Sequence, residues 1–131
     1  MSSHEVPAVK PLVLLVDDDE DSRFLYSHYL TSAAGYRVAE ASDGREGIDL
    51  ASSLQPDVII MDLTLPVMDG WEALRVLKED GRTRSIPVVA LTGHSLREKK
   101  EFHAVLLKPC LPEALAAQVE RILRTPLNHR A

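Results

Sequence analysis

Asp17, Asp18, Asp62, Thr92 and Lys108 carry the chemistry this chain offers: three carboxylates, a hydroxyl and an amine, each placed just after a short apolar run. Crowded carboxylates repel one another and are tolerated where a cation offsets them. An all-oxygen set with few protein ligands suits magnesium, which keeps several waters and often shares a phosphate oxygen. Around a phosphoryl group, Lys108 would neutralise an equatorial oxygen and Thr92 would donate a hydrogen bond, both from the rim opposite the acids. Asp62 is then the natural nucleophile, because a carboxylate can accept a phosphoryl group as an acyl phosphate. Asp19, Glu20 and Asp21 extend the first acidic block, and they are left to solvent and to the positive N-terminus of a following helix. The simpler reading of an Asp-Asp pair before a helix is an N-cap.

These residues share a site only if the elements between them bring them together. Apolar runs at Leu12 to Val16, Val58 to Met61, Ile86 to Leu91 and Ala104 to Leu107 are short and rich in Val, Ile and Leu. Such runs suit strands covered on both faces. Tyr36 to Ala41 alternates as an edge strand would, and it is closed only by Ser42 and Asp43. Helical spacing fills the gaps, with stripes at Phe24, Leu25, His28 and Tyr29, at Gly47, Leu50, Ala51 and Leu54, at Trp71, Leu74 and Leu77, and at Leu115, Val119 and Ile122. All four stripes are expected to pack in the core. Pro112 suits a first helical position. Strand and helix in alternation imply an α/β fold with five parallel strands and right-handed crossovers. Ligands in such sheets bind beyond the carboxyl ends of the strands, which is where the five chemical residues fall.

Composition sets outer bounds. A chain of 131 residues, 45% hydrophobic and 27% charged, is about one domain. Residues 10–124 are expected to form it, between tails at 1–9 and 125–131 that contain Pro7 and Pro126. A net charge of -5 argues against direct nucleic-acid binding. No run of about 18 apolar residues predicts membrane insertion, and no secretion signal opens the chain, so a cytoplasmic location is expected. His4 and His129 fall in the tails, while His28 and His103 lack metal-ligand spacing; Cys110 is expected to be a semi-buried neighbour of Pro109.

The stretches "VLLVDDDEDSR", "PDVIIMDLTLPVMDGWE", "IPVVALTG" and "LLKPC" together resemble the receiver domain of two-component response regulators, over about Leu12 to Arg124. Pro66 four residues after Asp62, with Asp69-Gly70 beyond it, makes the likeness specific. The resemblance implies a flavodoxin-like sheet of order 2-1-3-4-5 with helices on both faces. It also implies Asp62 as phosphoacceptor, Asp18 as a direct magnesium ligand, Asp17 as an acid holding the ion through water, and the Thr64 backbone carbonyl as a further ligand. Thr92 matches the switch hydroxyl, Lys108 the phosphoryl-binding lysine, and Pro109 a residue usually in a cis peptide. Family members take phosphate from a sensor histidine kinase or a histidine phosphotransfer protein, and the altered charge biases surfaces that protein partners read. With seven residues after Arg124, signalling by protein-protein contact or by onward phosphotransfer is expected.

Two departures stand out. Val105 occupies the position of the family's usual switch aromatic. Only 16 positions separate Thr92 from Lys108, fewer than in the family pattern, so the family's fourth helix is expected to be shortened, displaced or absent. His94, two residues after Thr92, is expected to border the site and tune access of the hydrolytic water. A magnesium-dependent phosphohydrolase is the enzyme alternative, with Asp17 and Asp19 as its paired acids. A receiver-like scaffold that is never phosphorylated is the binding-module alternative. Nucleotide binding is disfavoured, since no strand is followed by GxGxxG or a P-loop.

Overall fold

The computed structural model describes residues 9–93 and 102–124. Its strands are β1 (Leu12–Val16), β2 (Arg37–Ala41), β3 (Val58–Asp62), β4 (Val88–Thr92) and β5 (Ala104–Leu107). Its helices among the described residues are α1 (Glu20–Ser32), α2 (Gly44–Leu54), α3 (Gly70–Glu79) and α4 (Pro112–Arg124). The strands form one parallel sheet in the order β2-β1-β3-β4-β5. No described helix joins β4 to β5, and residues 94–101 of that crossover, His94 among them, lie outside the described residues.

Alternate residues of the buried strands feed two cores. Val13, Leu15, Val58, Ile60, Val89 and Leu91 face Tyr26 and Leu30 of α1 and Leu115, Val119 and Ile122 of α4. Leu14, Val16, Ile59, Met61, Val88 and Ala90 face α2 and α3. Every residue of β3 and β4 is buried, as expected of central strands in a doubly covered parallel sheet. Each buried Val, Leu, Ile or Met side chain among them contributes about 1.5–3 kcal/mol by leaving water.

The helix stripes need correction in three places. Phe24 is 70% and Leu25 52% exposed, with His28 also at the surface, stacked on Phe24. Apolar and aromatic side chains cover about two thirds of the α1 circumference at 3.6 residues per turn, so period alone does not choose a face; packing against α4 selects Tyr26 and Leu30. Leu54 ends α2 in the open, and Trp71 is only half-covered, edge-on to Phe102. The α4 stripe is buried throughout, and Pro112 opens that helix. Four strand bounds also move: β2 begins at Arg37 rather than Tyr36, Asp62 and Thr92 are the last residues of β3 and β4, and Ile86 and Pro87 precede β4.

Gly70 shows how tightly α3 is set against the end of β3. A Cβ built there would lie 2.7 Å from the Asp62 carbonyl oxygen and 2.8 Å from the Leu63 Cα, both backbone atoms that cannot swing aside. Gly70→Ala is therefore expected to destabilise by about 1–3 kcal/mol, the usual scale of overpacking. A lowered urea midpoint at unchanged slope would report it; an unchanged midpoint would mean that the β3–α3 connection yields.

Candidate functional site

Register brings the chemical residues level. Val16 pairs with Met61, so Asp17 and Asp62 emerge side by side from β1 and β3, where strand order reverses. Asp62 pairs with Leu91, and Thr92 pairs with Leu107 just before Lys108. The Lys108 N–H donates to the Thr92 carbonyl at 2.7 Å, fixing the fifth rim position to the fourth.

The acids divide into two jobs. Asp19 caps α1, its carboxylate accepting from the Ser22 N–H at 3.0 Å and the Ser22 hydroxyl at 2.7 Å. Those bonds lower the Asp19 pKa below its ordinary value. Asp43 and Asp69 cap α2 and α3 in the same way. Asp17, Asp18 and Asp62 instead offer carboxylate oxygens within 4.8 Å of one another. The N-cap reading of the Asp17-Asp18 pair is thus wrong; the cap is Asp19, one of the acids expected beside the helix N-terminus.

Asp17 is fully buried, and its Oδ1 accepts from the Asp19 N–H at 2.9 Å. Its Oδ2 is buried with no hydrogen-bond partner among the described residues. Burial raises the Asp17 pKa, a rise only partly countered by the Asp19 N–H and the charge of Lys108. Asp62 is 5% exposed, with Oδ1 accepting from the Thr64 N–H at 2.9 Å and Oδ2 from Lys108 Nζ at 2.6 Å. Burial disfavours the Lys108 ammonium, but its bond to Asp62 and the charges of Asp62 and Asp17 outweigh that and raise its pKa. Lys108 therefore does not stand across the rim from the acids; its long side chain crosses from β5 to sit on Asp62.

An orphaned buried carboxylate oxygen beside two further carboxylates fits a divalent cation. Oxygens on one magnesium at about 2.1 Å span up to about 4.2 Å, so the three groups need little closure to share an ion.

Around this centre, Thr92 is buried and Thr64 exposed. The Lys108-Pro109 peptide is cis. Val67, at φ 67°, centres a tight turn in which the Met68 N–H donates to the Pro66 carbonyl at 2.7 Å. Val105 packs half-buried against the α2/α3 core, and Cys110 is half-buried with its thiol pKa raised by burial. Two residues escaped the sequence reading. Arg23 donates from Nη1 to the Asp17 carbonyl at 2.8 Å while its Nε pairs with Glu40 at 3.1 Å, clamping the acidic loop to β2. The Tyr26 hydroxyl donates to the Cys110 carbonyl at 2.7 Å. Arg23 was findable as a cation one turn into the helix after the acids; no local signal marks Tyr26.

A doubly wound five-stranded α/β domain with clustered carboxylates and a lysine at the switch point defines the class. The response regulator receiver domain family matches residues 13–120, and the chain belongs to it. Over 120 residues the chain is 40% identical to "DNA-binding dual master transcriptional regulator RpaA" of Synechocystis sp., covering 87% of this chain and 49% of that protein. The chain thus spans about half the length of that relative. The chemotaxis response regulator CheY4 of Vibrio cholerae superposes with a TM-score of 0.80 at 35% identity, covering 87% of this chain and 99% of that one. The receiver domain of sensor histidine kinase PA1611 from Pseudomonas aeruginosa, solved with a magnesium ion coordinated in its active-site cleft, gives 0.81 at 28% identity, covering 89% and 100%. Among the described residues no helix is long and apolar enough to cross a membrane.

Proposed function

We propose that this domain accepts a phosphoryl group on Asp62 from the phosphohistidine of a sensor histidine kinase or histidine phosphotransfer protein, in the cytoplasm, and signals through protein contacts. The observation that carries this reading is the Asp62 carboxylate, held between the Thr64 N–H and Lys108 Nζ beside the orphaned Asp17 oxygen. Asp17, Asp18, Asp62 and the Thr64 carbonyl would hold magnesium, which when bound neutralises charge on the carboxylates and the phosphoryl oxygens.

An Asp62 carboxylate oxygen attacks the donor phosphorus. The new O–P bond forms as the bond to the donor nitrogen breaks, and the leaving imidazole keeps the electron pair. Lys108 moves its hydrogen bond from Asp62 Oδ2 to a phosphoryl oxygen, and the Thr92 hydroxyl donates to another. The Thr64 N–H holds the carboxylate during attack. Asp19, spent on the α1 cap, is a poor second acid for a hydrolase.

Intact-protein mass after incubation with magnesium and acetyl phosphate tests this. The expected result is a single magnesium-dependent phosphoryl addition, stable in acid and lost in base. No addition to folded protein would favour the scaffold reading, and continuous turnover of phosphate esters would favour the hydrolase.

A further inference from the structure

Lys108 reaches Asp62 on a flexible four-carbon stem, so where its ammonium sits depends on how firmly its backbone is held. The turn that carries it is tied at two points. On one side the Lys108 N–H donates to the Thr92 carbonyl at 2.7 Å. On the other, the Cys110 carbonyl accepts from the Tyr26 hydroxyl at 2.7 Å, across 84 positions of sequence. The start of α4 does not use that carbonyl: the Ala114 and Leu115 N–H groups donate to Leu111 instead, and Pro112 has no N–H.

Tyr26 is 6% exposed, its ring packed in the α1/α4 core, where a phenylalanine would fill nearly the same volume. The hydroxyl is therefore the distinctive part of this side chain. Burial and the neighbouring Cys110 raise its pKa, so it stays a donor at neutral pH. The helix that carries Tyr26 is capped by Asp19, directly after the Asp17-Asp18 pair. One rigid helix thus joins the loop bearing the acids to the turn bearing the lysine.

We propose that Tyr26 is a positioning residue for phosphoryl transfer, its hydroxyl holding the Lys108-Pro109-Cys110 turn so that the Lys108 ammonium meets Asp62. This rests on the reading of Asp62 as phosphoacceptor, and the experiment separates the two.

Tyr26→Phe is compared with wild type, with Lys108→Ala and with the double variant, under acetyl phosphate labelling with saturating magnesium. The expected result is labelling slowed roughly two- to tenfold by Tyr26→Phe, the range one neutral hydrogen bond commands. Magnesium affinity by calorimetry is expected to stay unchanged. In the Lys108→Ala background, the same substitution is expected to leave the residual rate as it was, because the path through Lys108 is already gone. The second readout needs no labelling: the Lys108 ammonium NMR resonance, sharpened by its ion pair with Asp62, is expected to broaden in Tyr26→Phe. A slowing that persists in the Lys108→Ala background, or an unaltered ammonium resonance, overturns the proposal and leaves Tyr26 as a core residue. If wild type takes no label while the ammonium resonance still responds to Tyr26→Phe, the phosphoacceptor reading fails and the positioning contact stands.

Discussion

Asp62→Asn takes phosphoryl labelling to background, a loss expected to reach at least about a thousandfold, the scale on which removing a nucleophile acts. The amide keeps the volume of the carboxylate and can still accept from the Thr64 N–H at Oδ1, so the local fold is preserved. What disappears is the attacking anion and the partner of Lys108. Two opposed effects act on stability without magnesium. The ion pair at 2.6 Å is lost, though Lys108, with its side chain 31% exposed, is partly screened by water. Meanwhile Asp17 and Asp18 are relieved of a neighbouring like charge. The net change is expected to stay within about 1 kcal/mol. The diagnostic feature is a diminished rise in melting temperature on adding magnesium, because one of three clustered carboxylates is gone. Mass spectrometry with thermal melts, with and without the ion, checks both arms. An acid-stable label on Asp62→Asn would place the acceptor elsewhere.

Asp17→Asn is expected to melt higher than wild type at pH 7 in the absence of divalent cations, by about 1–2 kcal/mol, since it removes a buried anion with an unsatisfied oxygen. The sign follows from linkage. Burial raises the Asp17 pKa above its ordinary 3.8, so between that value and the raised one the folded state binds more protons than the unfolded state. Wild-type stability from this group therefore rises as pH falls through the folded pKa, and the penalty is fully present above it. The advantage of Asp17→Asn is greatest near neutrality and closes across that acidic window. Magnesium is expected to invert the order: an ion present at a hundred times its dissociation constant would stabilise wild type by about 2.7 kcal/mol. The variant, short of one carboxylate, is expected to bind at least about tenfold more weakly and to lose magnesium-dependent labelling. Urea titrations of both proteins across pH, with and without magnesium, supply the test. A gap that does not change with pH would mean that the buried charge is not its source.

The candidate site was legible in the sequence to the extent that parallel strands impose it. Once four apolar runs are read as parallel strands, the residues that close them share one rim. That is why Asp17, Asp62, Thr92 and Lys108 can be placed on that rim without knowledge of any contact. Thr64 and the cis peptide at Pro109 came from the family resemblance rather than from pattern. Period alone misplaces the α1 face because five apolar or aromatic residues between Phe24 and Leu30 spread over a sector wider than one buried face, leaving only the side of Arg23, Ser27 and Thr31 to exclude. Lys108 was placed opposite the acids because a strand position locates a Cα, while its side chain is long enough to cross to Asp62.

By itself the sequence determined the alternation of strands and helices, the α/β class and the rim on which chemistry gathers, because these follow from local periodicity and chain direction. It also placed a helix N-terminus just after the first acidic block, where Asp19 caps α1, since a cap acts within a few residues of chain. Only the tertiary structure decided which face of α1 is buried, that Lys108 reaches across to Asp62, and that Tyr26 bonds to a turn 84 positions away. Those outcomes depend on the strand register, on which helix packs beside which, and on how far a side chain reaches, none of which a local pattern encodes.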